Sequence, residues 1–239
     1  MSKKGDILSR REYGEKGWFG LGVPQANPTV EPEFRRLMPD ETECFALRLR
    51  SLSADPRQRA IDYLKLLPEL VKDFATLRLD AFLFACTGSS YLISEGEVDS
   101  IQARAEDILS APVVLAAKAI KTSLCDLGVE RVALLSPYPD WLNIPAIEYW
   151  QRQGFDVVDV QQVSTGSDNT DQIYTLGSAE IAPYTHELLQ SDADAFLVSG
   201  TGMPALLSLE ILRASGKPAI SSNSALAEQA LRSFSAWVQ

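Results

Sequence analysis

The sequence predicts an α/β fold of two pseudo-symmetric lobes, each a parallel four-stranded sheet flanked by helices, with a ligand cleft between the lobes. Short apolar segments alternate with longer amphipathic ones along most of the 239 residues, a pattern typical of parallel sheets covered by helices. The segment 80–88 is nearly repeated 114 residues later at 194–202. Pro24 and Pro137, which end the first predicted strand of each half, are 113 residues apart. These offsets indicate a duplicated unit.

The first half contains four predicted strands and two predicted helices. An N-cap at Asp55 begins a long amphipathic helix, because apolar residues recur at helical spacing as far as Leu77. A second helix covers 100–110. Strands are predicted at 18–24, 44–52 and 81–85, and 112–116 is predicted as a short strand or a strand–helix junction.

The second half repeats this order. Strands are predicted at 131–135, 155–160, 195–198 and 218–220, and helices at 140–153, 178–190, 204–215 and 223–238. Pro204 suits the first turn of its helix. We assign 17–116 with 223–239 to the first lobe, which carries Cys86, and 117–222 to the second, which carries Gly200–Gly202.

Composition and charge exclude several classes of function. The net charge is −10 and no basic run exceeds a pair, so nucleic acid is not an expected partner. No apolar stretch approaches the ~18–20 residues that span a bilayer. Three unpatterned cysteines argue against a disulfide framework or a zinc site. With a polar N-terminus that leads into no signal core, these features predict a cytoplasmic protein without a membrane or metal partner.

Cys86 is the leading candidate for chemistry. It follows the predicted strand 81–85 and precedes a polar loop of Thr87, Gly88 and Ser89. Backbone N–H groups and a helix dipole at such a position are expected to lower the pKa of a thiol. Cys44 and Cys125 lie within a predicted strand and helix, where a structural role is expected.

Hydroxyl and glycine positions near the strand ends predict an anion site. Thr87, Gly88 and Ser89 in one half, and Gly200, Thr201 and Gly202 in the other, can hold a carboxylate with hydroxyls and N–H groups. Helix capping is the alternative role for both sets. Tyr138 follows a strand end between two prolines and could donate to an oxyanion, or only cover the core. Asn27 occupies the corresponding loop of the first half, as a ligand or as a cap.

Two other readings find little support. The segment 200–205 fits Gly-x-Gly-x-x-Ala, but it follows the third strand of its half and no acidic residue ends a later strand at the right distance. His186 is the only histidine and lies on a polar helix face, and no Gly-x-Ser-x-Gly is present. A hydrolase of the Ser-His-Asp or Cys-His type is therefore not expected.

At four stretches the chain resembles the aspartate/glutamate racemase superfamily, in particular its maleate isomerase and arylmalonate decarboxylase branch. They are 23–34 with Asn27, 85–89 with Cys86, 136–138 followed by Asn143, and 198–202 followed by 221–223. The resemblance implies a cofactor-free enzyme that binds a small carboxylate between two lobes, with a cysteine from each lobe. It also implies a homodimer as a common assembly.

By this resemblance Cys86 is the cysteine of the first lobe, and Gly200 stands where the second is expected. Two-base racemisation needs an acid or base on each face of the substrate carbon, so one-thiol chemistry is favoured. We expect decarboxylation of a malonate-type diacid through an enediolate that Tyr138 stabilises, with Cys86 protonating the carbon. Alternatives are cis–trans isomerisation of a maleate-type diacid with Cys86 as nucleophile, then racemisation, then a non-catalytic carboxylate-binding protein.

Overall fold

Two parallel sheets with the same strand order form the centre of the molecule. The structure is a computed structural model and describes residues 11–238. The first sheet has the order β2-β1-β3-β4 and the second β6-β5-β7-β8. The strands are β1 (Gly17–Pro24), β2 (Thr42–Leu49), β3 (Ala81–Phe84), β4 (Val113–Leu115), β5 (Arg131–Ser136), β6 (Asp156–Gln162), β7 (Ala195–Val198) and β8 (Ala219–Ser221). The predicted two-lobed α/β architecture is confirmed.

Helices connect the strands and cover both sheets. They are α1 (Val30–Leu37), α2 (Pro56–Lys65), α3 (Leu67–Leu70), α4 (Thr87–Leu92), α5 (Glu95–Leu109), α6 (Ala116–Asp126), α7 (Asp140–Arg152), α8 (Ser178–Leu188), α9 (Leu206–Arg213) and α10 (Ser222–Val238), with 3₁₀ helices at Val71–Phe74 and Thr170–Thr175. Helices α6 and α10 pack against each other. No helix of the described residues is long and apolar enough to cross a membrane.

The internal repeat extends through three strands of each sheet. Strands β5, β6 and β7 each begin 114 residues after β1, β2 and β3. The aspartates of the repeat have the same structural role. Asp80 accepts a hydrogen bond from the backbone N–H of Trp18 at 2.7 Å, and Asp194 accepts one from Arg131 at 2.9 Å. Each carboxylate therefore joins the start of the third strand in its lobe to the start of the first.

Three predicted helices differ from the structure, and the one predicted at 100–110 begins earlier, at Glu95. The predicted helix from Asp55 to Leu77 is wrong beyond Lys65, although the Asp55 side chain does accept from the N–H of Arg57. Pro68 has no N–H and its ring is incompatible with an uninterrupted helix, so the chain restarts as α3 and a 3₁₀ turn. The apolar spacing persists because these turns pack on the same core.

The predicted helix 204–215 begins two residues later than expected, at Leu206. The N–H of Ala205 donates to the carboxylate of Glu33 at 2.6 Å. This contact comes from α1 of the first lobe and fixes the residue before the helix. Pro204 therefore belongs to the loop rather than to the first turn.

Candidate active site

A pocket lies at the carboxyl ends of the strands and is lined by both lobes. Its volume is about 60 Å³, which suits a small ligand. Eight of the nine predicted site residues line it: Asn27, Cys86, Thr87, Gly88, Tyr138, Gly200, Thr201 and Gly202. Parallel sheets place ligand sites at this end, and the duplication brings the two sets of strand ends to one cavity.

Cys86 directly precedes α4, two residues after the end of β3, and its partly exposed side chain lines the pocket. Burial raises the pKa of this thiol, while hydrogen bonds from the Ser89 hydroxyl and from the N–H groups of Ser89 and Gly88 act in the opposite direction. The expected lowering of the pKa is therefore wrong, because desolvation outweighs the donors. The resting thiol is protonated at neutral pH.

Ser89 is fully buried behind the thiol and is not part of the pocket lining. Its hydroxyl lies 2.6 Å from the carbonyl oxygen of Ala60 and 3.3 Å from Cys86 Sγ. The structure thus places Ser89 beside the thiol, where its hydroxyl contacts Cys86 instead of a ligand in the pocket. The sequence pattern alone could not show whether the Ser89 side chain points into the pocket or towards the back of Cys86.

Thr87 and Tyr138 form a hydroxyl pair between the lobes. Their oxygens are 2.6 Å apart, and the Tyr138 side chain is buried. Burial raises the pKa of Tyr138 well above its ordinary value, so the phenol remains a neutral hydrogen-bond donor. The ring of Tyr91 meets that of Tyr138 edge to face, with centroids 6.2 Å apart.

Asn27 has two roles that the sequence left open. Its Oδ1 accepts from the N–H groups of Thr29 and Val30, which caps the start of α1. Its Nδ2 lies 3.4 Å from the Thr201 hydroxyl, and Thr201 in turn donates to the carbonyl oxygen of Ala85 at 2.7 Å. Capping therefore orients the amide, and Nδ2 stays at the pocket wall.

Gly200 has a backbone conformation that suits glycine. Its φ is +88°, in the left-handed region. A Cβ added there would lie 3.0 Å from Pro137 Cγ and 3.3 Å from the Tyr138 hydroxyl. Tyr138 and Pro137 therefore occupy the space that a second cysteine would need.

Sequence reasoning missed five polar residues of the lining: Arg59, Tyr63, Thr170, Asp171 and Tyr174. Arg59 and Tyr63 lie one turn apart on α2, and Asp171 and Tyr174 lie on the 3₁₀ helix after β6. One sequence signal could have found Arg59. It directly precedes Ala60 at the start of the apolar face of α2, and both residues are buried in the structure. Burial raises the pKa of Tyr63 to about 12 and also raises that of Tyr174.

The remaining cysteines and the histidine lie apart from the pocket lining. Cys44 is in β2, where burial raises its pKa to about 12. Cys125 is exposed near the end of α6. His186 is exposed on α8.

The fold and the pocket define a class of two-lobed α/β proteins with a thiol at the strand ends between the lobes. The sequence matches the family model described as arylmalonate decarboxylase (Amdase) over residues 19–236. The chain belongs to this family, which confirms the branch that the sequence resembles.

Relatives with two kinds of name share the architecture. A maleate isomerase of Nocardia farcinica is 27% identical over 227 residues, which are 90% of this chain and 89% of that protein. The crystal structure of the maleate isomerase from Pseudomonas putida S16 has a TM-score of 0.83 at 19% identity, covering 92% of this chain and 93% of the other. A liganded arylmalonate decarboxylase mutant, with one glycine changed to cysteine and one cysteine to serine, has a TM-score of 0.76 at 19% identity, covering 91% and 92%.

Proposed function

We propose that the protein catalyses cis–trans isomerisation of a maleate-type dicarboxylate, with Cys86 as the nucleophile. The observation that carries this proposal is one thiol in a pocket whose second-lobe position is Gly200. A single nucleophile suffices for addition and elimination at a double bond, whereas racemisation needs two acid–base groups. In support, a crystal structure of a Nocardia farcinica maleate isomerase mutant holds a covalently bound succinylcysteine intermediate.

The reaction begins when the thiol of Cys86 loses its proton to solvent. The thiolate forms an S–C bond to one alkene carbon, and the π electron pair moves onto the other carbon and its carboxylate. Rotation about the resulting single bond follows. The electron pair then re-forms the double bond, the S–C bond breaks, and the thiolate is released without net proton transfer to the substrate.

The pocket residues support each stage of this route. The N–H groups of Gly88 and Ser89 stabilise the thiolate. Thr87 and Tyr138 share one hydroxyl hydrogen, and the other hydroxyl hydrogen of the pair donates to the carboxylate that takes up the electron pair, which is the oxyanion role that such a donor serves. Asn27 Nδ2, at the pocket wall, donates to the carboxylate on the carbon that the thiolate attacks.

Decarboxylation of a malonate-type diacid is the second candidate. The match to the arylmalonate decarboxylase family model and the raised pKa of Cys86, which suits a proton donor, favour it. A departing carboxylate needs an apolar surrounding, however, and Arg59 and Asp171 line this pocket. A guanidinium stabilises a carboxylate in the ground state, so we place isomerisation ahead of the decarboxylation that the sequence favoured.

A substrate panel followed by proton NMR in D2O tests the proposal. The panel contains maleate, an arylmalonate, an alkylmalonate and a chiral amino acid. We expect maleate to give fumarate, with no loss of CO2 from the malonates and no α-deuterium exchange in the amino acid. Product from a malonate with maleate unchanged would support decarboxylation, and no turnover of any compound would support the binding-protein alternative.

A further inference from the structure

We infer that Arg59 binds the substrate carboxylate that lies farther from Cys86, and that Asp171 competes with this carboxylate for the guanidinium. The inference rests on the proposed function for the ligand, which is a small dicarboxylate. It assigns a specificity-determining role to a residue that has no counterpart among the predicted site residues. It also makes the ion pair between the lobes a device that the substrate opens.

Arg59 has hydrogen-bonding capacity that the protein leaves unused. Its Nη2 donates to Asn169 Oδ1 at 2.9 Å and lies 3.0 Å from Asp171 Oδ1. A guanidinium carries five N–H donors. Within residues 11–238, no acceptor forms a hydrogen bond with its Nε or Nη1 groups. These donors belong to a side chain that is only 10% exposed and lines the pocket.

The pocket lining carries two charged side chains that differ in their exposure to solvent. Arg59 is the one cation and Asp171 the one anion among the described residues that line it. The Asp171 side chain is 39% exposed, so it can turn into water at small cost. The buried guanidinium cannot. A dicarboxylate that enters can therefore take over the guanidinium while Asp171 moves aside.

Arg59 and Cys86 line the same pocket, and the helix that carries Arg59 is joined to the thiol through Ser89. Ala60, the neighbour of Arg59, accepts the hydrogen bond from Ser89, whose hydroxyl also contacts Cys86 Sγ. Tyr63, one turn further along α2, lines the same pocket as Arg59 and Cys86. Arg59 and Cys86 thus line one small cavity from neighbouring elements, so a four-carbon diacid whose alkene carbon reaches the thiol lies in the cavity that Arg59 also lines.

A planar guanidinium with free donors discriminates by charge and shape. It pairs with a carboxylate through two parallel charge-assisted bonds, which an amide cannot match. We therefore expect the site to prefer maleate over its monoamide. A monocarboxylate has no second carboxylate to replace Asp171 as the partner of Arg59.

Calorimetry with maleate separates this role from a structural ion pair. In a Cys86→Ala background, which forms no adduct, we expect Arg59→Met to weaken maleate binding at least ~30-fold. Asp171→Asn removes the competitor and should tighten binding. Arg57→Met, which removes an exposed arginine of the same helix, should leave binding unchanged, and Arg59→Lys should retain part of the affinity.

Opposite shifts for Arg59→Met and Asp171→Asn support the inference, together with a smaller preference for maleate over the monoamide in Arg59→Met. Shifts in the same direction, or none, would overturn it, because a purely structural pair is broken equally by either change. Fumarate formation by an Arg59→Met enzyme with unchanged KM would sink the inference and leave the proposed function standing. Opposite shifts in maleate affinity, in a protein that converts no maleate, would support the inference and contradict the proposed function.

Discussion

The hydroxyl oxygens of Thr87 and Tyr138 lie 2.6 Å apart, one from each lobe. Thr87 opens α4 next to Cys86, and Tyr138 follows the end of β5 next to Pro137. One hydroxyl hydrogen joins the two oxygens, and the other can point to a substrate oxygen. The pair therefore provides a neutral donor beside the thiol only when the two lobes are held together.

Removal of either hydroxyl should slow turnover more than it weakens binding. We expect Thr87→Val and Tyr138→Phe each to lower kcat for maleate by about 10–1,000-fold, because the donor acts on charge that develops during the reaction. Steady-state kinetics measures this, with Tyr184→Phe on α8 as the control. Normal kcat in both variants would show that the pair only covers the core.

The pH dependence of alkylation should reveal the raised pKa of Cys86. The folded pKa lies above the ordinary value of 9.0, so the thiolate fraction at neutral pH is small and is still rising at pH 9.0. We expect the rate of iodoacetamide reaction at Cys86 to keep rising past that pH, and kcat/KM for maleate to follow it. Exposed Cys125 is the internal reference for reagent access. A plateau below pH 8 would contradict the raised pKa.

A second cysteine should not fit at position 200. We expect Gly200→Cys to cost about 1–3 kcal/mol, or about 2–12 °C in Tm, since φ is +88° and the new Cβ meets Pro137 and Tyr138. Gly128→Cys is the matched control, because Gly128 has φ +66° with open space around it. Thermal unfolding should show the larger loss at 200. Equal decreases in Tm for the two variants would mean that Pro137 and Tyr138 move enough to accommodate the new side chain.

Glu33 should make stability depend on pH. It is buried, and accepts from the N–H of Ala205 and from Asn223 Nδ2 at 2.8 Å. Burial raises its pKa above 4.5, so the folded state binds more protons than the unfolded state just above that pH. Its contribution to the free energy of unfolding therefore falls as pH rises through this window.

Two variants test this dependence. Glu33→Gln should gain stability relative to the wild type as pH rises from 4.5. Glu33→Ala should lose about 2–4 kcal/mol, because it leaves the amide of Asn223 and the N–H of Ala205 without an acceptor. Urea unfolding at several pH values measures both. If the free energies of unfolding of the wild type and Glu33→Gln differ by the same amount at every pH, the raised pKa of Glu33 is contradicted.

The fold could be predicted from the sequence because each half of the duplication supports the strand assignments of the other half. The near-repeat at 80–88 and 194–202 marks the third strands, and the same offset recurs in the observed β1 and β5. Element ends were less predictable. Pro68 broke a helix whose apolar spacing continued, and the contact between Glu33 and Ala205 joins residues 172 apart, so neither outcome follows from local pattern.

The candidate site was predictable where it depended on strand ends and not where it depended on side-chain direction. Cys86, Thr87 and Tyr138 were found because they follow strands that meet at one edge. Arg59 was missed because a charged residue in an amphipathic helix is normally solvated. Its burial arises only when α2 meets the 3₁₀ helix at Thr170–Thr175.

The central claim is that the Cys86 thiol alone carries the cis–trans conversion, and maleate in D2O tests it most directly. Proton NMR should show fumarate with the wild-type enzyme and no fumarate with Cys86→Ala. Fumarate from Cys86→Ala at the wild-type rate would contradict the account.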